Sequence, residues 1–304
     1  DAQESRGLGD VYKRQANANA MNRRTPSPLR GRQRASPPAG FTLVELLVVI
    51  AVVGIVSALL LPAVARSKNR AQAFYCLNNL RQLQTAWQFY TDDHQGWLPG
   101  VMGGSYPGGG RWVSGWMDFS NNPDNTNVLH LIHPDYSQLA PYLSTPAAYK
   151  CPADRSWVMI SGRVHPRVRS VSMNCWMNYV GTEAIGQDLF RVFRKLDDIQ
   201  DPPPSRAWVL MDEREDSIND GLFRTNLKDR GVLARIVDFP ASYHGLGAGI
   251  TFADGHAEIK RWVDRRTTPP LRTRQLLELD VPSPDNPDVA WLQSRSSSRR
   301  LPVQ

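Results

Sequence analysis

Residues 37–63 read PPAGFTLVELLVVIAVVGIVSALLLPA, and this stretch decides how the chain folds at its N-terminal end. The run from 41 to 65 is apolar except for Thr42, Glu45 and Ser57. As an α-helix these residues would extend for about 37 Å, which is enough to cross a hydrocarbon core of about 30 Å. The stretch therefore predicts a transmembrane helix over residues 41–65 that carries one carboxylate.

The segment before this helix is basic. Residues 1–20 contain DAQESRGLGDVYKRQ, which resembles a translated sequencing adaptor, so we expect the native chain to start at Met21. Residues 21–40 form a leader with five arginines, which favours a cytoplasmic location for it. An ordinary signal peptide is cut after its apolar run, whereas the small residue Gly40 stands before this one. Cleavage at Gly40 would leave the helix on the mature protein.

The presence of the charged residue Glu45 within this apolar helix requires an explanation. A carboxylate in a membrane-spanning helix costs about 2.5–3.5 kcal/mol at the centre, less near an end, and normally has a partner. Cleavage after Gly40 would create an α-amino group on Phe41, four residues before Glu45. In a helical bundle that cation can neutralise the carboxylate of a neighbouring subunit, whereas a plain signal anchor needs neither charge. We interpret Glu45 as an assembly residue.

Gly40, Phe41 and Glu45, followed by an apolar helix, resemble the signal of type IV prepilins and type II secretion pseudopilins. The resemblance implies that a prepilin peptidase cleaves between Gly40 and Phe41 and methylates the new amine of Phe41. It also implies assembly with other pilin or pseudopilin subunits through the helix, in which Pro62 is a feature that pilin stems often share. The protein would then be a single-pass protein of the cytoplasmic (inner) membrane with its head outside, and part of a pilus or pseudopilus after assembly.

A second helical segment follows over residues 66–95. Its apolar side chains recur at steps of three and four residues, which draws one stripe along a helix. Gly96 and Pro99 predict that this helix ends near Asp93. We expect an amphipathic stem whose stripe packs against a globular domain, and the stripe consists of Ala73, Cys76, Leu80, Leu83, Trp87 and Tyr90.

The rest of the chain reads as a β-rich head over residues 96–270 and a C-terminal extension and tail over residues 271–304. Short apolar segments between Pro, Gly, Asn and Asp clusters are typical of strands. Asp254-Gly255 stands between two of them and predicts a β-hairpin. The predicted fold is α+β and pilin-like: a long N-terminal helix, half transmembrane and half amphipathic, packed on a small, mainly antiparallel sheet.

The head also resembles a narrower group. His244, nine further residues and then Asp254-Gly255 are similar to the prepilin-type processing-associated H-X-D-G domain, which is related to the DUF1559 proteins. The resemblance extends over most of residues 40–293, through stretches such as YCLNNLRQL, KCPAD, RSVSMN and FPASYHG. Cys175 departs from the pattern, which has a small residue there. The resemblance implies no chemical role for the motif.

Three roles are open for His244. It could fix its loop by donating to a backbone carbonyl, bind a metal ion together with Asp212 and Glu213, or act as a catalytic base on Ser242. No glycine-framed nucleophile elbow surrounds that serine. Asp254 is better explained by its turn, because nine extended residues would place it about 30 Å from His244. We therefore expect no catalytic residues and no enzyme activity.

The three cysteines, Cys76, Cys151 and Cys175, lack the close paired spacing of a zinc site. The resemblance, whose pattern has cysteines at the first two places, implies a disulfide between Cys76 and Cys151, which an oxidising compartment would permit. A Cys151–Cys175 disulfide and three free thiols are the alternatives.

The charge distribution and the acidic segment limit which partners and ions the chain could bind. The net charge of +7 comes largely from the arginine-rich leader and tail, and no segment interleaves basic and aromatic residues, so we expect no nucleic-acid partner. Residues 212–221, DEREDSINDG, are rich in oxygen atoms, but Ile218 breaks the EF-hand spacing. We expect an exposed acidic turn there and no cofactor, with calcium as the ion that the segment could bind.

These features favour a structural, pilin-like subunit that assembles into a pilus or a type II secretion-type pseudopilus. The alternative is an extracytoplasmic binding module for carbohydrate or calcium that only borrows a pilin-type membrane anchor. Nine tryptophans are compatible with a sugar-binding face, although packing in a core accounts for most of them.

Overall fold

The computed structural model describes residues 40–101, 110–179 and 188–300. Two compact units divide the chain, one ending at Ser57 and one beginning at Ala58. Helix α1, Leu43–Asp93, contributes to both units. Residues 1–39, which include all of the leader except Gly40, lie outside the described part.

The first unit contains the beginning of α1. Its large apolar side chains, from Leu43 to Val56, are exposed. Within the part that the structure describes, α1 is the one helix whose length and apolar composition would allow it to cross a membrane. Pro62 lies inside the helix and does not end it. The helix predicted over residues 41–65 is thus present, and the role of Pro62 in assembly stays a prediction.

In the second unit, α1 carries the predicted stripe. Ala73 is half-buried, and the other five members are buried. Gln84 is also buried and accepts a hydrogen bond from Thr251 Oγ1 of the sheet at 2.6 Å. The helix ends at Asp93, as predicted, and Gly96 follows with a φ of +82°, which glycine adopts without strain. The buried stripe consists of Cys76, Leu80, Leu83, Trp87 and Tyr90.

Short strands form the head. In chain order the described strands are β1 (Trp157–Ile160), β2 (Arg163–Pro166), β3 (Val171–Asn174), β4 (Trp208–Asp212), β5 (Leu222–Phe223), β6 (Arg235–Ile236), β7 (Gly247–Phe252), β8 (Ala257–Arg261) and β9 (Val281–Pro282). Five of them make one sheet in the order β5–β3–β4–β7–β8, and the pairs β1–β2 and β6–β9 stand apart from it. Within the large sheet only β3 and β5 pair in parallel; the other pairs are antiparallel. Strands β3, β4 and β7 are buried throughout and form the centre of the head.

The predicted hairpin is the β7–β8 pair, in register from Gly247 with Arg261 to Thr251 with Ala257. Gly255, in its turn, has a φ of +98°, and a Cβ there would meet Gln88 Nε2 of the stem at 2.7 Å. The positive φ of the turn therefore favours glycine, whereas the flexible Gln88 side chain could move aside.

Two further helices belong to the head: α2 (Leu129–Ile132) and α3 (Pro287–Ser296). Asn286 caps α3 by accepting from the amides of Asp288 and Val289. Trp208 Nε1 of β4 donates to Ser296 Oγ at 2.9 Å, which fastens α3 to the central sheet. The segment predicted as a C-terminal extension thus contributes a helix to the head. The α+β, pilin-like architecture predicted from the sequence is confirmed.

Candidate functional site

The start of α1 is a capping box formed by Thr42 and Glu45. Thr42 Oγ1 accepts from the amide of Glu45 at 3.2 Å. Glu45 Oε2 in turn accepts from the amide and the hydroxyl of Thr42, both at 2.8 Å. The sequence Thr-x-x-Glu is the usual signature of this arrangement, in which two amides at a helix N-terminus are satisfied reciprocally. Glu45 therefore has a partner within its own chain, which the sequence reasoning missed.

A second, buried site lies between the stem and the head, entirely within the unit that begins at Ala58. Cys76, Cys151, Asp212 and His244 each place one possible ligand atom within 4.8 Å of the others. Cys76 Sγ lies 2.5 Å from Asp212 Oδ2, and Cys151 Sγ lies 3.2 Å from His244 Nε2. All four side chains are buried: the exposed fraction is 1% for each of Cys76, Cys151 and Asp212, and 6% for His244. We call these four residues the stem–head cluster.

Each member of the stem–head cluster comes from a different element. Cys76 belongs to the stripe of α1, and Asp212 is the last residue of β4. Cys151 follows a 3₁₀ helix, and its amide donates to Ser170 Oγ at 2.8 Å. His244 precedes β7, and its amide donates to the carbonyl of Gly247 at 3.2 Å. Side chains far apart in sequence are thus held together by the packing of the stem on the sheet.

Two features bring the stem helix close enough to the head for the side chains of the stem–head cluster to meet. Asn79 Nδ2 donates to the carbonyls of Ala147 and Lys150, each at 3.1 Å, next to Cys151. Gly249 of β7 faces the stem, and a Cβ there would lie 2.9 Å from Cys76 Sγ and would clash with Leu80 Cδ1. Gly249 is therefore needed for the close approach of the helix.

Burial changes the proton affinities of the stem–head cluster. It raises the pKa of Asp212 to about 7. A hydrogen bond with Cys151, and then burial, raise the pKa of the Cys76 thiol well above its ordinary value. Burial lowers the pKa of His244. Without a bound cation, Asp212, Cys76 and His244 therefore favour their uncharged forms more strongly than the free side chains do.

Some polar atoms of the stem–head cluster have no partner. Asp212 Oδ1 and His244 Nδ1 are buried and make no hydrogen bond within the described residues. No lysine or arginine in the described ranges forms an ion pair with Asp212. The imidazole ring of His244 thus donates to no backbone carbonyl among the described residues, so the predicted contact of this side chain with its loop is absent. Unsatisfied buried polar atoms are uncommon and require an explanation.

The structure separates the other predicted site residues from this cluster. Asp254 lies beyond the opposite end of β7 from His244, where Asp254 Oδ1 accepts from the amide of His256 at 3.2 Å. A six-residue strand is roughly 17 Å long, so His244 and Asp254 do not form one site. Glu213, predicted beside Asp212 as a metal ligand, accepts from the hydroxyls of Ser172 and Ser217, both at 2.6 Å, and lies outside the cluster.

The acidic segment 212–221 is not an exposed turn, which corrects the sequence interpretation. Arg214 and Asp216 are buried and form an ion pair at 2.5 Å between Nε and Oδ1. Ile218 is fully buried. The oxygen-rich composition is therefore used for contacts within the head.

All three cysteines are free thiols. Cys76 and Cys151 lie together in the stem–head cluster, whereas Cys175 is buried at the end of β3 outside it. Burial raises the pKa of Cys175 to about 12. The two cysteines paired by the sequence resemblance are thus neighbours, and the disulfide between them stays a prediction.

Comparison with known proteins identifies the N-terminal site. Residues 37–61 match the family model described as the prokaryotic N-terminal methylation motif. No curated protein and no solved structure matches the chain. The motif indicates a type IV pilin-like or pseudopilin-like protein that is processed by a prepilin peptidase. Together with the long apolar helix, it indicates anchoring in the inner membrane with the head outside the cytoplasm.

Proposed function

We propose that this chain is a structural, pseudopilin-like subunit that is cut between Gly40 and Phe41, methylated on Phe41 and polymerised through α1. The assembly would be a pilus or a type II secretion-type pseudopilus. We assign the head to the H-X-D-G group, related to the DUF1559 proteins, on the motif of His244 and Asp254-Gly255.

The observation that carries the proposal is the combination of a methylation motif with a helix that is apolar on all sides. Large side chains from Leu43 to Val64 are exposed, and Glu45 is the one charged residue among them. Such a surface requires lipid or other helices around it. Neighbouring stems in a filament would supply those helices, and the methylated amine of Phe41 would face Glu45 of the next subunit.

A binding module that only borrows the anchor has less support. Of the nine tryptophans, five are buried, three are half-buried, and Trp116 is exposed, with 48% of its residue surface accessible. The acidic segment 212–221 is occupied by contacts within the head. Neither the predicted sugar-binding face nor the calcium loop thus has an exposed set of residues.

The capping box makes a sharp test of assembly possible. Gln can replace Glu in a capping box, so Glu45→Gln keeps the helix start and removes only the charge. Thr42→Ala keeps the charge of Glu45 and removes the Thr42 hydroxyl from the capping box, which costs about 1 kcal/mol of helix stability. A photo-crosslinking residue at Val56, which is exposed, would report contacts between stems in native membranes.

We expect crosslinked stems for the unsubstituted chain and for Thr42→Ala, and loss of crosslinks for Glu45→Gln. All three proteins should first be shown to carry the mature N-terminus. Loss of crosslinks in Thr42→Ala as well would show that assembly requires the helix cap in addition to the charge of Glu45. Undiminished crosslinking of Glu45→Gln would contradict the proposed pairing with Phe41.

A further inference from the structure

We propose that Cys76, Cys151, Asp212 and His244 bind one Zn²⁺ ion in a closed site that fastens the stem helix to the head. The inference stands independently of processing and filament assembly, because it concerns residues that neither step uses. It rests on the convergence, the chemistry and the unsatisfied atoms of the stem–head cluster.

Convergence is the first argument. Among the described residues, this is the one group of three or more His, Cys, Asp or Glu side chains whose ligand atoms could hold an ion together. Zinc bonds of about 2.0–2.3 Å in a tetrahedron place ligand atoms about 3.3–3.8 Å apart. The 3.2 Å between Cys151 Sγ and His244 Nε2 is close to that range, whereas Cys76 Sγ and Asp212 Oδ2, at 2.5 Å, would move apart by about 1 Å.

The donor set is the second argument. Two thiolates, one imidazole and one carboxylate are ligands that zinc accepts, and thiolates disfavour magnesium and calcium. Four protein ligands complete a tetrahedron and leave no open position, which is typical of a structural site rather than a catalytic one. The burial of all four side chains agrees with a closed site.

The unsatisfied atoms are the third argument. Asp212 occupies the centre of the head without a cationic partner among the described residues, and its Oδ1 has no hydrogen bond. A divalent cation would supply the missing positive charge. Cys151 Sγ accepts from the amide of Ala153 at 3.4 Å, and an amide donated to sulfur stabilises a thiolate. The Cys151-Pro152-Ala153 turn thus suits a metal ligand.

An entry path also exists. A groove of about 580 Å³ runs along the stem to His244 and Gly245, between Arg70 and Ala73 on one side and β8 on the other. His244, the least buried member of the stem–head cluster, lines this groove, which places the cluster next to a solvent-filled path.

Zinc and a disulfide exclude each other, since both use the sulfur atoms of Cys76 and Cys151. A disulfide would leave Asp212 and His244 without partners, whereas zinc uses all four residues.

The measurement that tests the zinc site is the metal content of the full chain, purified in detergent without chelators or added reductant. We expect about one zinc ion per chain.

Variants assign the ligands. Cys76→Ser and Asp212→Asn should each lower zinc affinity by at least about tenfold. Cys175→Ser and Glu213→Gln, which change a buried cysteine and a buried carboxylate outside the cluster, should keep the ion. Replacement of zinc by Co²⁺ should give the intense visible bands of a tetrahedral thiolate complex.

A second measurement does not depend on the folding of any variant. Chelation of the unsubstituted protein should expose Cys76 and Cys151 to alkylation and lower the melting temperature, and added Zn²⁺ should reverse both effects. A Cys76–Cys151 peptide in non-reducing mapping would overturn the proposal. A protein with free thiols that takes up no zinc, or variants that bind zinc as well as the unsubstituted chain, would overturn it equally.

Discussion

Glu45 illustrates how one side chain can satisfy two requirements. Its carboxylate accepts two hydrogen bonds from Thr42, which stabilises the first turn of α1. In the proposed filament the same group also faces the amine of a neighbouring Phe41. The methylation motif points to the second role, and the Thr-x-x-Glu spacing within it is the signature of the first.

A buried carboxyl elsewhere in the head leads to a prediction about pH. Burial raises the pKa of Asp238 from its ordinary value near 4 to about 7, and Asp238 Oδ2 accepts from the amide of Arg224 at 2.6 Å. The folded chain therefore binds this proton more tightly than the unfolded chain does. The resulting stabilisation is fully present below about pH 4 and is lost as the pH rises through about 7.

We expect the melting temperature of the full chain to fall between about pH 5 and pH 8, and to fall less for Asp238→Asn. Asparagine keeps the size and the acceptor oxygen of the side chain but does not titrate. Thermal unfolding at a series of pH values measures both proteins, and the difference reports Asp238 together with its effect on the buried carboxyl of Glu213, whose pKa is raised by burial and then by the charge of Asp238. Parallel curves for the two proteins would show that this carboxyl does not control stability.

At the scale of elements, the central contact is that of the stem with strand β7. Gly249→Ala would place a methyl group against Leu80 and Cys76 Sγ, and neither the helix nor the strand can withdraw without breaking other contacts. We expect overpacking of this kind to lower the free energy of unfolding by about 1–3 kcal/mol.

The measurement for Gly249→Ala is thermal unfolding followed by the fluorescence of the buried tryptophans. Gly54→Ala is the matched control, because a Cβ at Gly54 meets nothing within 4 Å. We expect it to leave the unfolding of the head unchanged. Unaltered stability of Gly249→Ala would mean that the stem does not pack on β7 as closely as described.

Local patterns predicted these elements well. The apolar steps of three and four residues along the stem predicted five positions that are buried. Gly96 and Pro99 predicted the end of α1, and Asp254-Gly255 predicted the turn between β7 and β8. Such signals lie within a few residues of one another, so sequence alone contains them.

The stem–head cluster was predicted only in part, because the sequence offered Asp212 as a metal-binding partner of His244 and the resemblance paired Cys76 with Cys151, but no local signal joined the two pairs. Its four side chains come from a helix, two loops and a strand end that are tens of residues apart, whereas the sequence signature of a zinc site is a pair of closely spaced cysteines. The prediction for the acidic segment 212–221 is wrong for a related reason. Its polar composition is typical of an exposed turn, but Arg214 and Asp216 satisfy each other in the interior.

At the scale of the whole molecule, the chain combines an apolar helix with a head that packs on the second half of that helix. The first unit, up to Ser57, contains most of the motif of residues 37–61 and exposed apolar side chains. The second unit contains the sheet, the stripe of the stem and the stem–head cluster. In the proposed filament, a force applied through α1 would reach the head through the stripe and this cluster.

The central claim is that the chain is a prepilin cut after Gly40. Gly40→Ala should slow or block removal of the leader, because the peptidase must accept a residue with almost no side chain at the cut. The unsubstituted protein is the control, compared by immunoblot for the shift in mass that removal of the leader produces.

The most direct measurement is mass spectrometry of the N-terminal peptide of the protein isolated from native membranes. The account predicts a peptide that begins at Phe41 with a methyl group on its α-amine. A mature protein that begins beyond Ala65, or that retains the leader with an intact Gly40–Phe41 bond, would contradict it.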